Sequence, residues 1–164
     1  MVRSMVQKRG VNNLIMNKTL DTTLLDRVII FAVRAHAGTE RRGKGLPYIV
    51  HPMEAVEIVA TITPDQEMLA AAALHDTVED TAIDRLAYAS RDAKIVALGD
   101  KLSNMRAIGR DYAQQGDVLW NLFHAKDPKD HEWHYRGLAD ALSDLSDTFA
   151  YREFENLINQ VFGE

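Results

Sequence analysis

Cysteine is absent from all 164 residues, which excludes disulfides, thiolate metal sites and a cysteine nucleophile together. Such a chain suits a reducing compartment. Long apolar runs are missing too: none approaches the roughly 18 residues that a membrane helix needs. The N-terminal segment GVNNLIMNK is too short and too polar for a secretory core. The expectation is a cytoplasmic protein with no membrane partner. A surplus of positive charge is also lacking. The formal charge is −5, and because residues 1–20 hold four basic and no acidic side chains, the remainder carries −9. An acidic body offers no broad basic face to polymeric nucleic acid, although a local basic cluster can still hold a small anion. Residues 1–20 read as a basic, flexible extension. Residues 21–164 read as one domain, and a 46% hydrophobic composition is enough to build its core.

Alternating strand patterns are scarce; the best, YIV at 48–50, is too short to build a sheet. Helical periodicity is what the chain has. Leu24, Leu25, Val28, Ile29 and Ala32 predict one face of a helix running to about residue 36. A glycine- and arginine-rich loop follows. Pro52 suits the first turn of the next helix, continued by Ala55, Val56, Ile58, Val59 and Ile62. Thr63-Pro64-Asp65-Gln66 opens a third helix by capping logic. Its small alanines permit close approach of neighbours and predict a central position. A further helix is expected over 93–109, then a polar loop over 124–130. Two C-terminal helices are marked by Trp133, Leu138, Leu142 and Leu145, then Phe154, Leu157, Ile158, Val161 and Phe162. The expected fold class is all-α.

Three segments carry candidate chemistry. In LHDTVEDT, His75 and Glu79 are four apart, as are Asp76 and Asp80, so each pair lines one side of a helix. Alone, this describes a solvated acidic helix end as readily as a site. The adjacent His75-Asp76 pair can also offer an imidazole and a carboxylate to one cation, with the two acids a turn later placed to handle a metal-bound water. In PYIVHP, His51 stands at a loop–helix junction. In LGDKLSNMR, Asp100 and Asn104 are four apart on an otherwise apolar helix, where a carboxylate needs a salt bridge, a cap or a metal. Together His51, His75, Asp76 and Asp100 make a two-nitrogen, two-oxygen set that suits Mn²⁺, Zn²⁺ or Fe²⁺ better than Ca²⁺. The loop ERRGKG adds Arg41, Arg42 and Lys44, which can bind phosphate oxygens.

The ordered series AHAGTERRGKGLPYIVHP, ALHDTVEDT and GDKLSNMR resembles the HD-domain hydrolases of the RelA/SpoT type, including the small stand-alone alarmone hydrolases, over about residues 24–150. The resemblance implies an all-α HD-domain helical bundle that binds Mn²⁺. Its implied reaction removes the 3′-pyrophosphate of guanosine tetra- or pentaphosphate, giving GDP or GTP respectively, and pyrophosphate, through a metal-bound water. The resemblance further implies that His51, His75, Asp76 and Asp100 are the metal ligands. Glu79 and Asp80 would activate or orient the water, Arg41, Arg42 and Lys44 would contact the phosphates, and Asn104 and Arg106 would line the nucleotide pocket. His36 is expected to support its loop. The implied partner is a small nucleotide; the oligomeric state is left open.

The chain departs from this pattern at Arg42, where lysine is usual, and at Ser103 and Ala107, where larger relatives carry histidine and threonine. It also passes from HDTVEDT to DAKIVALGD with only AIDRLAYASR between, where the family places a few dozen more residues. The expectation is a segment missing between Thr81 and Ala82. Alternatives are a phosphohydrolase for another nucleotide, such as one removing the 2′-phosphate of NADPH, or a nucleotide-binding HD protein without turnover.

Overall fold

Capping side chains set the helix starts. Asp65 accepts from the Glu67 amide at 2.8 Å, Ser90 from Ala93 at 3.2 Å, Asp127 from Lys129 at 2.9 Å and Thr148 from Tyr151 at 3.1 Å. Each satisfies a first-turn N–H that has no partner within its helix. The computed structural model describes residues 21–77 and 83–163. The helices following these caps are α3 (Gln66–Leu74), α5 (Arg91–Gln115), α6 (Pro128–Ala141) and α7 (Phe149–Phe162). The others are α1 (Thr23–Ala35), α2 (Val50–Ala60) and the short α4 (Ile83–Ala87). The fold is all-α among the described residues. The expected N-terminal extension and the passage from Thr81 to Ala82 lie outside them. No helix among the described residues is long and apolar enough to cross a membrane.

The YIV segment is not a strand. Extended pairing occurs just before it, where β1 (Glu40–Arg41) meets β2 (Leu46–Pro47) antiparallel, Arg41 opposite Leu46. The turn between them needs Gly43 and Gly45, which sit at φ 69° and 61°, where a side chain would be strained. This small hairpin is what presents the basic loop.

The centre belongs to α5 rather than to the alanine-rich α3. Helix α5 packs against α2, α3 and α7, and its Leu98, Leu102 and Met105 are fully buried. Alanines allow α3 to approach α1, α2 and α5 closely, but they bury little apolar area each. Leu142 and Leu145 lie beyond α6 yet are fully buried beside Phe154, whereas Trp133 is 74% exposed. Periodicity placed Trp133 on the inner face, but the rotation of α6 turns it outward.

Gly99 decides how closely α2 crosses α5. A Cβ there would lie 2.8 Å from the Val59 side chain and 3.0 Å from the Ala55 carbonyl. That crossing brings His51 of α2 against Asp100 of α5. Gly99→Ala is therefore expected to cost about 1–3 kcal/mol of stability by overpacking, read by denaturant unfolding. It should also weaken divalent-metal binding; unchanged stability and metal affinity would contradict the tight crossing.

Candidate metal centre

Three helices deliver one cluster. His51 projects from the first turn of α2, His75 and Asp76 from the 3-10 turn that continues α3, and Asp100 from the middle of α5. Each offers one ligand atom, and the four atoms lie within 4.8 Å of one another. His51 Nε2 is 3.1 Å from Asp100 and 3.5 Å from Asp76. His75 Nε2 is 3.1 Å from Asp76, 3.3 Å from Asp100 and 3.1 Å from His51 Nε2. His51 and Asp100 are 3% and 7% exposed, while the Asp76 side chain is 23% exposed and forms the open side.

The donor chemistry fits a divalent ion. His75 Nδ1 lies 2.7 Å from the Ala72 carbonyl, which only accepts, so that nitrogen carries a proton and Nε2 turns toward the cluster. Two ring nitrogens and two carboxylates thus converge where only positive charge relieves their mutual repulsion. Without a metal, a proton does so. Burial opposes charging His75, yet its hydrogen bonds to Asp100 and Asp76 and the charge of Asp100 raise it to about 10. Burial would raise both carboxyls as well. For Asp76 the His75 bond and charge outweigh it and hold the group below its ordinary range. For Asp100 the bonds from both histidines and the Lys101 charge hold it far below.

Further groups brace these four side chains. Asn104 donates to Asp100 at 2.8 Å and accepts from Arg41 at 3.3 Å, which links the basic hairpin to the cluster. Lys101 lies 2.7 Å from the second Asp100 oxygen. The Tyr48 hydroxyl donates to Asp76 at 3.0 Å; burial and the Asp76 charge push that phenol well above its usual range. His36 packs on Tyr48 with ring centroids 4.9 Å apart.

A pocket of about 410 Å³ adjoins the cluster through His51 and Tyr48. Arg41, Arg42, Lys44 and Asn104 line it, together with Ala107, Ile108, Leu119, Leu122 and Phe123. Asp111 also lines it and is ion-paired with Lys44. Arg106 does not line this pocket. Six positions beyond Asp100, it sits about 240° around the helix, and its guanidinium engages Glu153 at 2.7 Å and 2.8 Å. Glu79 and Asp80 lie outside the described residues. Tyr48, Lys101 and Asp111 escaped the sequence reading. Tyr48, three residues before His51 in PYIVHP, had a spacing signal, whereas Asp111 had none because its partner is 67 positions away.

All four cluster residues fall within residues 29–119, which match the HD-domain family. The chain belongs to that family, whose all-α fold binds divalent metals. Its relatives include the GTP pyrophosphokinase rsh of Brucella ovis, 36% identical over 66 residues, 40% of this chain and 9% of that protein. The bifunctional (p)ppGpp synthase/hydrolase RelA of Mycobacterium tuberculosis is 44% identical over 61 residues, 37% of this chain and 8% of that one. A GTP pyrophosphokinase of Myxococcus xanthus is 33% identical over 61 residues, again 37% and 8%. The matched stretch is less than a tenth of the length of these curated relatives.

Proposed function

We propose that this HD domain is a metal-dependent phosphohydrolase that cleaves the 3′-pyrophosphate from guanosine 3′,5′-bis(pyrophosphate). Water adds to phosphorus, the bond to the 3′ oxygen breaks, and GDP leaves with pyrophosphate, or GTP where the substrate is the pentaphosphate. The observation that carries this reading is the His51, His75, Asp76 and Asp100 cluster opening beside a pocket lined by Arg41, Arg42 and Lys44. Similarity to the RelA-type synthase/hydrolase supports the choice of nucleotide.

An ion held by those four residues, with Mn²⁺ as the preferred species, would supply a Lewis acid and a water of lowered pKa. The remaining work falls to side chains. Arg41 and Arg42 take phosphate oxygens with their guanidinium forks, and Asn104 holds Arg41 toward the cluster. Tyr48 orients Asp76. Glu79 and Asp80 are the proposed proton acceptors for the attacking water. The apolar lining of Ile108, Leu119 and Leu122 suits a purine face.

Purified Mn²⁺-loaded protein should release pyrophosphate from this nucleotide. Orthophosphate from NADPH, or nucleotide binding without turnover, would replace the reading. Glu79→Ala should retain Mn²⁺ but lose hydrolysis.

Lys44 reaches the pocket paired with Asp111, both partly exposed at 21% and 18%. Such a pair contributes up to about 1 kcal/mol, so an anionic substrate can take Lys44 at small cost. Asp111→Asn is expected to lower KM by about threefold to fivefold with kcat nearly unchanged. A raised KM would show that Asp111 itself binds substrate.

A further inference from the structure

We propose that Ser103 and Glu54 form a relay that fixes the tautomer of His51, and that Arg106 and Glu153 anchor this relay to α7. The inference rests on reading the cluster as a metal site, but it concerns residues outside the four ligands. Ser103 is 0% exposed. Its hydroxyl lies 2.8 Å from His51 Nδ1 and 2.7 Å from Glu54 Oε2. One hydroxyl has one proton, and the two neighbours compete for it.

The charges decide the direction. Glu54 faces Arg106 at 3.4 Å and Arg110 at 4.0 Å, and a carboxylate only accepts. Ser103 therefore donates to Glu54, and its oxygen accepts from His51. Nδ1 of His51 must carry the hydrogen, so Nε2, which faces Asp100, Asp76 and His75, is the nitrogen that can turn a lone pair to a metal ion. The opposite arrangement would set two acceptors against each other in a buried site. Ala72 fixes the Nδ1 hydrogen of His75 in the same way, through a backbone carbonyl.

Arg106 keeps Glu54 in this role. Its fork grips both Glu153 oxygens at 2.7 Å and 2.8 Å, which leaves one terminal nitrogen for Glu54. It is thus a positioning residue acting through Glu54 and Ser103. Outer partners of this kind tune both the orientation and the basicity of a ligating histidine.

The test reads the His51 ring directly, by ¹⁵N NMR of the metal-free protein, and Mn²⁺ affinity separately. Wild type should show a hydrogen on His51 Nδ1. Ser103→Ala should lose it and bind Mn²⁺ about 10–100-fold more weakly. Glu54→Gln, nearly isosteric, should do likewise: Arg106 holds the amide oxygen, which turns the NH₂ group toward Ser103 and releases the hydroxyl proton to His51. A folded variant of either kind that keeps both the Nδ1–H tautomer and wild-type affinity overturns the relay. If Ser103→Ala does not fold, Glu54→Gln decides on the same two readouts. Wild-type protein that takes up no Mn²⁺ would sink the metal reading instead, while the tautomer measurement still judges the relay.

Discussion

Asp100→Ala is expected to abolish divalent-metal binding and to bring nucleotide hydrolysis below about 1% of wild type, since even outer partners of a metal ligand are worth ten- to hundredfold. One Asp100 oxygen lies within 3.3 Å of both His51 and His75 and accepts from Asn104, while Lys101 holds the other. Its loss removes a ligand and leaves a Lys101 ammonium and two imidazoles without their shared counter-charge. The raised affinity of His75 for a proton depends on the same group. In the variant, the His75 titration should fall from about 10 toward the ordinary histidine range. Because the Asp100 carboxyl is depressed in the folded protein, its stabilisation is present above the unfolded carboxylate range and lost as pH falls through the folded value. The stability deficit of metal-free Asp100→Ala should therefore be largest near neutral pH and shrink in acid. An Asp100→Ala enzyme with wild-type turnover would refute the ligand assignment.

Metal affinity should rise steeply with pH. In the metal-free protein His75 holds its second proton up to about pH 10, and a metal ion needs the same Nε2 lone pair. Each ion bound near neutrality must then displace about one proton. Apparent Mn²⁺ affinity is expected to climb about tenfold per pH unit from 6 to 9 and to level off above 10. Calorimetry in buffers of different ionisation enthalpy counts the proton. Flat affinity between pH 7 and 9 would show that His75 is already neutral. The stability of the metal-free protein should move the other way. A raised histidine stabilises fully below its unfolded value of 6.5, and that contribution is lost as pH rises through about 10. Metal-free protein should thus lose thermal stability on the alkaline side, while metal-loaded protein should not share that loss.

The cluster was legible in primary structure because a metal site demands particular donors. The HP, HD and GDK segments each supply imidazole or carboxylate at a helix end or on a buried helix face, where such groups are costly without a partner. The partners of those donors were less visible. Serine at 103 and glutamate at 54 are ordinary helix residues, and they meet only because α2 crosses α5 at Gly99. Arg106 shows the reverse case. Its neighbours in the GDKLSNMR motif suggested a nucleotide contact, but its place on α5 points it at Glu153, 47 positions later.

Composition and spacing were sufficient for the all-α class, for most helix positions and for the donors that converge on one point. These follow from local rules: hydrophobic period, capping side chains and the types of atom that can bind a cation. Which helix is central, which way α6 turns Trp133 and which nitrogen of His51 bears its proton came from packing. Each depends on contacts between residues far apart in the chain, such as His51 with Ser103 across 52 positions. No local periodicity encodes the angle and closeness at which two helices cross.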